Sequence, residues 1–259
     1  MDLLSIGDVN IKTIIKTSLK RGDLNLIEEL SERYSSPCLS VSINTKILSK
    51  KTGIVASIGR DAYSLIEILK RHGVDYSNLI LSDGKSGLEL KLKTPNYTYS
   101  LFFKGANTEL SFEKIYKDYL KKTKSIFLST EREDLASKIV DFCKRHKIVT
   151  FSDHDFPVDF LVCNEQGENA KTSLIFDPKK GCKITDEEEK IIPPFPSRKF
   201  EMEGVKEAFI SGFLSRFIDT GDLERSVLFG NATAYFCLQS KGSILKASLR
   251  EIEKLVKGE

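Results

Sequence analysis

The sequence predicts an α/β fold, a doubly wound parallel sheet with helices on both faces and an added β hairpin, on three observations. Short apolar strands alternate with amphipathic helices along the chain. One stretch abandons that rhythm for a period-two hairpin. The C-terminal third is helical and opens on a glycine.

LLSIG, at residues 3–7, reads as a short buried strand ending in glycine. SIFLS, at 125–129, is another strand, and Thr130 with Glu133 has the spacing of a capping box before the next helix. That helix runs through DLASKIVDFCKRH and sets Leu135, Ile139, Val140 and Phe142 on one side. IVTFS (148–152) and FLVCN (160–164) follow as strands. Strand, helix and strand in close succession imply parallel pairing through right-handed crossovers.

The hairpin is read from Leu88, Leu90 and Leu92, which alternate with Glu89, Lys91 and Lys93. After the TPN turn, Tyr97, Tyr99, Leu101 and Phe103 alternate again, so one face is apolar. Such a ribbon could be a sheet edge or a flap over a cleft. The aromatic residues, with Phe102, could stack a base, but hairpin packing accounts for them without a ligand. GVKEAFISGFLSRFIDTG places Ala208, Phe209, Phe213 and Phe217 at helical spacing and stops at Gly221. LERSVLFGNATAYFCLQSKG and ASLREIEKLVKG are the last two helical stretches. The acidic run at 186–189 is read as a solvated loop.

At 259 residues the chain suits one domain spanning 1–259. Hydrophobic residues make up 40% and charged residues 30%, enough for a sizeable core under a solvated surface. A net charge of +3, with both signs interspersed, argues against a nucleic-acid partner. Five scattered cysteines without a CxxC pair read as reduced thiols in a cytoplasmic protein, and no stretch approaches a membrane span.

Gly204 at a helix start would present unpaired N–H groups and the positive dipole end to an anion, as a phosphate or oxyanion cradle does. A plain turn before a core helix explains the same glycine. Asp153, His154 and Asp155 follow a strand and could bind metal, but no third ligand presents itself and a polar loop is the better reading. His72 and His146 fall at expected helix ends.

Several segments in order resemble the ribokinase-like (PfkB) carbohydrate kinases. GDVNI (7–11) resembles their opening strand, and GIVASIGRDAYS (53–64) resembles their early glycine signature, with Gly59 and Asp61 in place. HGVDYSNL (72–79) is similar to their GVD turn, and FKGANTEL (103–110) to the return from their lid. GVKEAFISGFL (204–214) resembles the catalytic signature, and LFGNATAYF (228–236) the helix after it.

The resemblance implies ATP-dependent phosphoryl transfer, with Mg²⁺, to a hydroxyl of a sugar, nucleoside or related alcohol. It places lid strands within about 9–16 and 86–104 and allows a homodimer through the lid. It assigns Glu207 as the base, with Gly204, Val205 and Lys206 on the transferring phosphate. Asn10, Lys12 and Asn44 fall at the substrate, and Asn164, Gly181 and Asn231 at the nucleotide.

The departures are chemical. Glu207 stands for the aspartate base and is one methylene longer, and a misplacement of about 1 Å can cost on the order of a hundredfold. Lys206 replaces a glycine at a turn where backbone must approach closely, although its charge could pair with phosphate. Lys12 replaces an aspartate that contacts sugar hydroxyls, and would suit an anionic ligand. Leu39 and Ser40 fall where the family has a glycine pair. Phe176, Asp177 and Pro178 occupy the Thr-x-Gly step, and NEQGE (164–168) sets Gly167 where a glutamate is expected. The interval from Asn164 to Ile175 is too short for the usual helix and strand, so a βα piece is expected to be missing. A catalytically silent relative that binds a metabolite or partner is therefore the competing expectation.

Overall fold

The computed structural model describes residues 1–18, 26–186, 189–198, 201–240 and 242–259. In chain order it contains β1 (Leu3–Gly7), β2 (Asn10–Lys16), β3 (Glu29–Ser35), α1 (Pro37–Ile47), β4 (Thr52–Val55), β5 (Ser57–Gly59) and α2 (Tyr63–His72). Then come β6 (Ile80–Ser82), β7 (Gly87–Lys93), β8 (Thr98–Phe103), α3 (Lys117–Lys121), β9 (Ser125–Ser129), α4 (Glu133–His146), β10 (Val149–Ser152) and β11 (Phe160–Cys163). β12 (Thr172–Asp177), β13 (Gly181–Thr185), β14 (Lys190–Ile192), α5 (Val205–Thr220), α6 (Leu223–Leu238) and α7 (Leu249–Lys257) complete it.

The main sheet has the order β14-β13-β12-β11-β10-β9-β1-β4. Neighbours from β4 to β12 are parallel, and β13 and β14 turn back antiparallel. This is the predicted α/β sheet. Strands covered on both faces need apolar residues at every position, and β1 and β9 are buried throughout. Phe127 of β9 joins the core under α5, while Ile126 and Leu128 join the core under α4. On the α5 side Phe176 stacks on Phe209 at 4.3 Å, and Phe151, Phe160, Phe213 and Phe217 pack ring to ring.

The hairpin belongs to a second sheet of order β3-β2-β7-β8. β3 is a lid strand that periodicity did not reveal, because ELSERYS is mostly polar and exposed. Its ladder with β2 runs from Asn10↔Ser35 to Lys16↔Glu29.

One expectation is corrected. Thr130 and Glu133 form no capping box: α4 starts at Glu133 after Arg132, which carries no side-chain cap, and Thr130 Oγ1 instead accepts the Arg132 N–H at 3.3 Å. The helix is held from outside, with the Arg132 guanidinium donating to the carbonyls of Thr108 and Leu110. Leu39 and Ser40 lie inside α1, not at its start, where Ser36 caps the helix by accepting the Leu39 N–H at 2.9 Å.

The link between β11 and β12, residues 164–171, contains no helix or strand, as the short interval implied. Nor does the link before it, residues 153–159. The two parallel crossovers brace each other, since the Asp155 carboxylate accepts the N–H groups of Glu168 and Asn169 at 3.0 and 3.1 Å. Of the acidic run, residues 187 and 188 lie outside the described residues, and Glu189 pairs with Lys183 at 2.6 Å. None of the five cysteines is paired, and four of them are buried. Among the described residues no helix is long and apolar enough to cross a membrane.

Candidate active site

A parallel sheet offers its ligand crevice at the carboxyl ends of its strands. Here Asp8 follows β1, Thr130–Glu131 follows β9 and Asp153–His154 follows β10. Over these ends a cavity of about 210 Å³ is closed by the lid, with Asn10, Phe102 and Lys104 above and Ser36, Pro37, Thr130 and His154 below.

The lid root is fixed by local chemistry. Asn107 is buried after β8, and its Oδ1 accepts the Val9 N–H at 3.1 Å while its Nδ2 donates to Asn10 Oδ1 at 2.7 Å. Asp61 accepts the Ser86 N–H at 2.9 Å, and Ser86 Oγ accepts the Gly59 N–H at 2.9 Å, so the early glycine signature anchors β7. FKGANTEL was the only sequence signal for Asn107.

Asn10 lines the cavity. Lys12 is not among the lining residues. It points to Glu89 on the adjoining strand, with Nζ 3.3 Å from the carboxylate, and Lys91 shares that carboxylate at 3.2 Å. Burial lowers the Lys12 pKa more than Glu89 restores it.

Asn44 lies fully buried two turns into α1, about 10 Å along the axis from its first residue. Its Nδ2 donates to the Ser243 carbonyl at 2.9 Å and its Oδ1 accepts the Leu245 N–H at 2.8 Å. The residues of this helix that reach the cavity are Ser36 and Pro37.

The glycine-led turn is formed as the sequence implied. Gly204 is left-handed (φ 77°), and no side chain caps the helix that follows. A Cβ at Gly204 would run into the Cα of Ser243. Val205 is buried, and none of residues 204–207 lines the lid cavity.

Glu207 has a raised pKa, mainly through burial, with Asp153 and Glu203 repelling its charge and Lys206 opposing them. Asp153 is also raised, first by burial, and it is offset by His154 and Lys206. Its Oδ2 accepts from Ser129 Oγ at 3.2 Å, and its buried Oδ1 makes no hydrogen bond but lies 3.7 Å from His154 Nε2. Asp153 thus feels both the cavity wall, through His154, and the turn, through Lys206.

Asn164 is exposed beyond the end of β11. Gly181 opens β13 at φ 93°, where a side chain would meet the Ile192 carbonyl. Asn231 is buried on α6, and its Nδ2 donates to the carbonyls of Ile192 and Pro193 at 3.0 and 2.9 Å, leaving Oδ1 free. None of the three lines the lid cavity. Phe176 is core, and Asp177 closes the β12–β13 turn by accepting the Lys179 N–H at 2.7 Å.

Asp8 lies within GDVNI, a segment whose resemblance assigns it no role. It lines the cavity, its Oδ1 is buried without a partner, and burial, with Glu131 nearby, pushes its pKa up to about 6. A second cavity of about 540 Å³ lies between β3, α1, α2 and residues 242–246. Arg33 in its wall pairs with Glu203, just before α5.

No protein-family model matches the chain. Among curated proteins it resembles the 5-dehydro-2-deoxygluconokinases of Clostridium botulinum strain Eklund 17B and of Clostridium beijerinckii. It is 19% identical to the first, over 84% of this chain and 82% of that protein. It is 20% identical to the second, over 78% and 77%. Among solved structures the ribokinase of Thermotoga maritima superposes with a TM-score of 0.83 at 19% identity, covering 99% of each chain. Arabidopsis thaliana ribokinase complexed with ribose and ATP gives 0.85 at 15%, covering 99% of this chain and 98% of that one. A Burkholderia thailandensis nucleoside kinase with inosine gives 0.81 at 12%, covering 99% and 97%. The fold is the ribokinase-like fold.

Proposed function

We propose, from the ribokinase-like fold as premise, that this chain carries a phosphoryl-transfer site for a hydroxyl of a sugar, nucleoside or related alcohol. The observation that carries the reading is the lid cavity over the strand ends, with an uncapped helix N-terminus led by a left-handed glycine outside its lining, near enough for Lys206 to act on Asp153 beside the cavity wall. The named activities of its relatives, kinases of sugars and nucleosides, support it.

The residues at the turn fit a phosphate. N–H groups without a side-chain cap, the helix dipole and the Lys206 charge all favour negative charge there. ATP, when bound, would supply the phosphoryl group, and Mg²⁺ would balance its phosphates. Asn10 and Asp8 would orient the acceptor under the lid, and Phe102 would exclude water from above. Glu207 would take the hydroxyl proton, and its raised pKa suits a base nearer neutrality.

A catalytically silent, ligand-binding relative is the second reading, and a specific observation favours it. Glu207 is held among like charges and does not line the cavity where the acceptor would lie. Turnover is therefore expected to be slow even where binding is intact.

The homodimer follows from the lid. Leu30, Ile15, Leu92 and Tyr99 share one row of one face, and Leu90 with Leu101 and Leu88 with Phe103 extend it. Leu30, Leu101 and Phe103 are 61%, 60% and 55% exposed, an apolar face that a second copy would cover. A cytoplasmic location suits the free thiols.

The test is ATP binding by calorimetry, followed by phosphate transfer over a panel of sugars and nucleosides. Transfer that Glu207→Ala abolishes while ATP still binds supports the kinase. ATP binding without transfer to any acceptor supports the silent relative. Failure to bind ATP at all removes the phosphoryl-transfer reading.

A further inference from the structure

We infer that Asp8 is the specificity-determining residue of the lid cavity, accepting a hydrogen bond from a hydroxyl of a polyhydroxylated ligand. The inference rests on the acceptor-site reading above and names the group that holds the acceptor.

The other polar groups lining the cavity are largely spent on the protein itself. Asn10 and Asn107 bond each other, and Asn107 also holds the Val9 N–H. Ser36 Oγ accepts the Leu39 N–H, Thr130 Oγ1 accepts the Arg132 N–H, and Arg132 is committed to Thr108, Leu110 and Asp134. Asp8 is different. Its N–H donates to the Ser129 carbonyl at 3.2 Å, which fixes the backbone, while its buried Oδ1 has no partner. A buried acceptor left unpaired is costly, and a ligand donor would satisfy it.

Residue 12 explains why position 8 should take this duty. The sequence resemblance puts a hydroxyl-binding aspartate there, but this chain has a lysine whose ammonium is held by Glu89 outside the cavity lining. The acceptor missing at residue 12 has a counterpart four residues earlier, at the end of β1.

The groups that set the charge of Asp8 come from every neighbouring element. Glu131 raises its pKa, while Arg132 beyond β9, Lys104 beyond β8 and His154 beyond β10 lower it. The Cys38 thiol of α1 lies close enough to feel the Asp8 charge. Above about pH 6 Asp8 is ionised and accepts strongly, and below that it carries a proton. Ligand affinity therefore rises with pH through that range.

The experiment is calorimetric titration of the full chain with D-ribose, inosine and D-gluconate between pH 5 and pH 7.5, without nucleotide. At least one binds, roughly tenfold more tightly at the upper pH. Asp8→Asn removes most of that rise and weakens binding at pH 7.5 by about tenfold or more. Lys12→Met leaves both quantities within about twofold.

The inference is overturned if Asp8→Asn keeps the wild-type profile, or if none of the three ligands binds. ATP binding by the same preparations separates this from the parent reading. ATP binding with no Asp8 dependence sinks the inference alone. Asp8 dependence without ATP binding sinks phosphoryl transfer and leaves Asp8 its role.

Discussion

Ser243 sits so tightly against Gly204 that a Cβ on the glycine would collide with its Cα. The loop after α6 therefore forms the outer wall of the turn before α5. The α5 turn is pressed into shape from outside as well as bent by its own torsions.

Gly204→Ala tests that wall. The substitution strains a left-handed residue (φ 77°) and forces Ser243 outward. A stability loss of at least about 2 kcal/mol is expected in urea denaturation. A loss below about 0.5 kcal/mol would mean that the turn is not packed as described.

Asn44→Leu separates stability from binding. It strands the Ser243 carbonyl and the Leu245 N–H, whose partner is the Asn44 carboxamide. A cost of about 2–4 kcal/mol in urea is expected, with polyol affinity in the surviving folded protein within about threefold of wild type. A selective loss of affinity would return Asn44 to the ligand site.

Asp8 gives a pH signature in stability. Its folded pKa, about 6, lies above the ordinary aspartate value of 3.8, so the native state binds more protons between those limits. Stability from this residue is thus present at low pH and is lost as pH rises through about 6. Asp8→Asn should be more stable than wild type by about 2 kcal/mol at pH 7.5, discounting for partial exposure, and nearly equal to it at pH 4. Denaturation at the two pH values measures the difference. An Asp8→Asn protein less stable at pH 7.5 would show that the carboxylate is satisfied in the native state.

Leu101→Lys probes the lid face. Wild type should sediment as a dimer at micromolar concentration and the variant as a monomer, with the same far-ultraviolet circular dichroism. A monomeric wild type would leave the outer lid face free in solution.

Much of the architecture was legible along the chain. LLSIG, SIFLS and FLVCN are apolar because both faces of the sheet are covered, and the alternation from Leu88 to Phe103 follows from one polar and one apolar lid face. Gly204 and Gly221 marked the ends of α5 because both adopt left-handed torsions that other residues resist. β3 was not legible, since an edge strand with mostly exposed residues leaves no burial pattern to read. The Thr130 box failed because the helix start is set by Arg132 reaching across to the chain returning from the lid.

The sequence by itself determined the first strand, the strand–helix–strand run from 125 to 164, the hairpin and the glycine turn, because each depends on residues close together in the chain. Only the tertiary structure decided that Asn44 serves the Ser243 loop, that Lys12 is spent on Glu89, and that Asp8 is left with an open acceptor. Those outcomes depend on the register between strands and on what packs across the crevice. A side chain's partner is fixed by residues up to about two hundred positions away, and no local pattern carries that information.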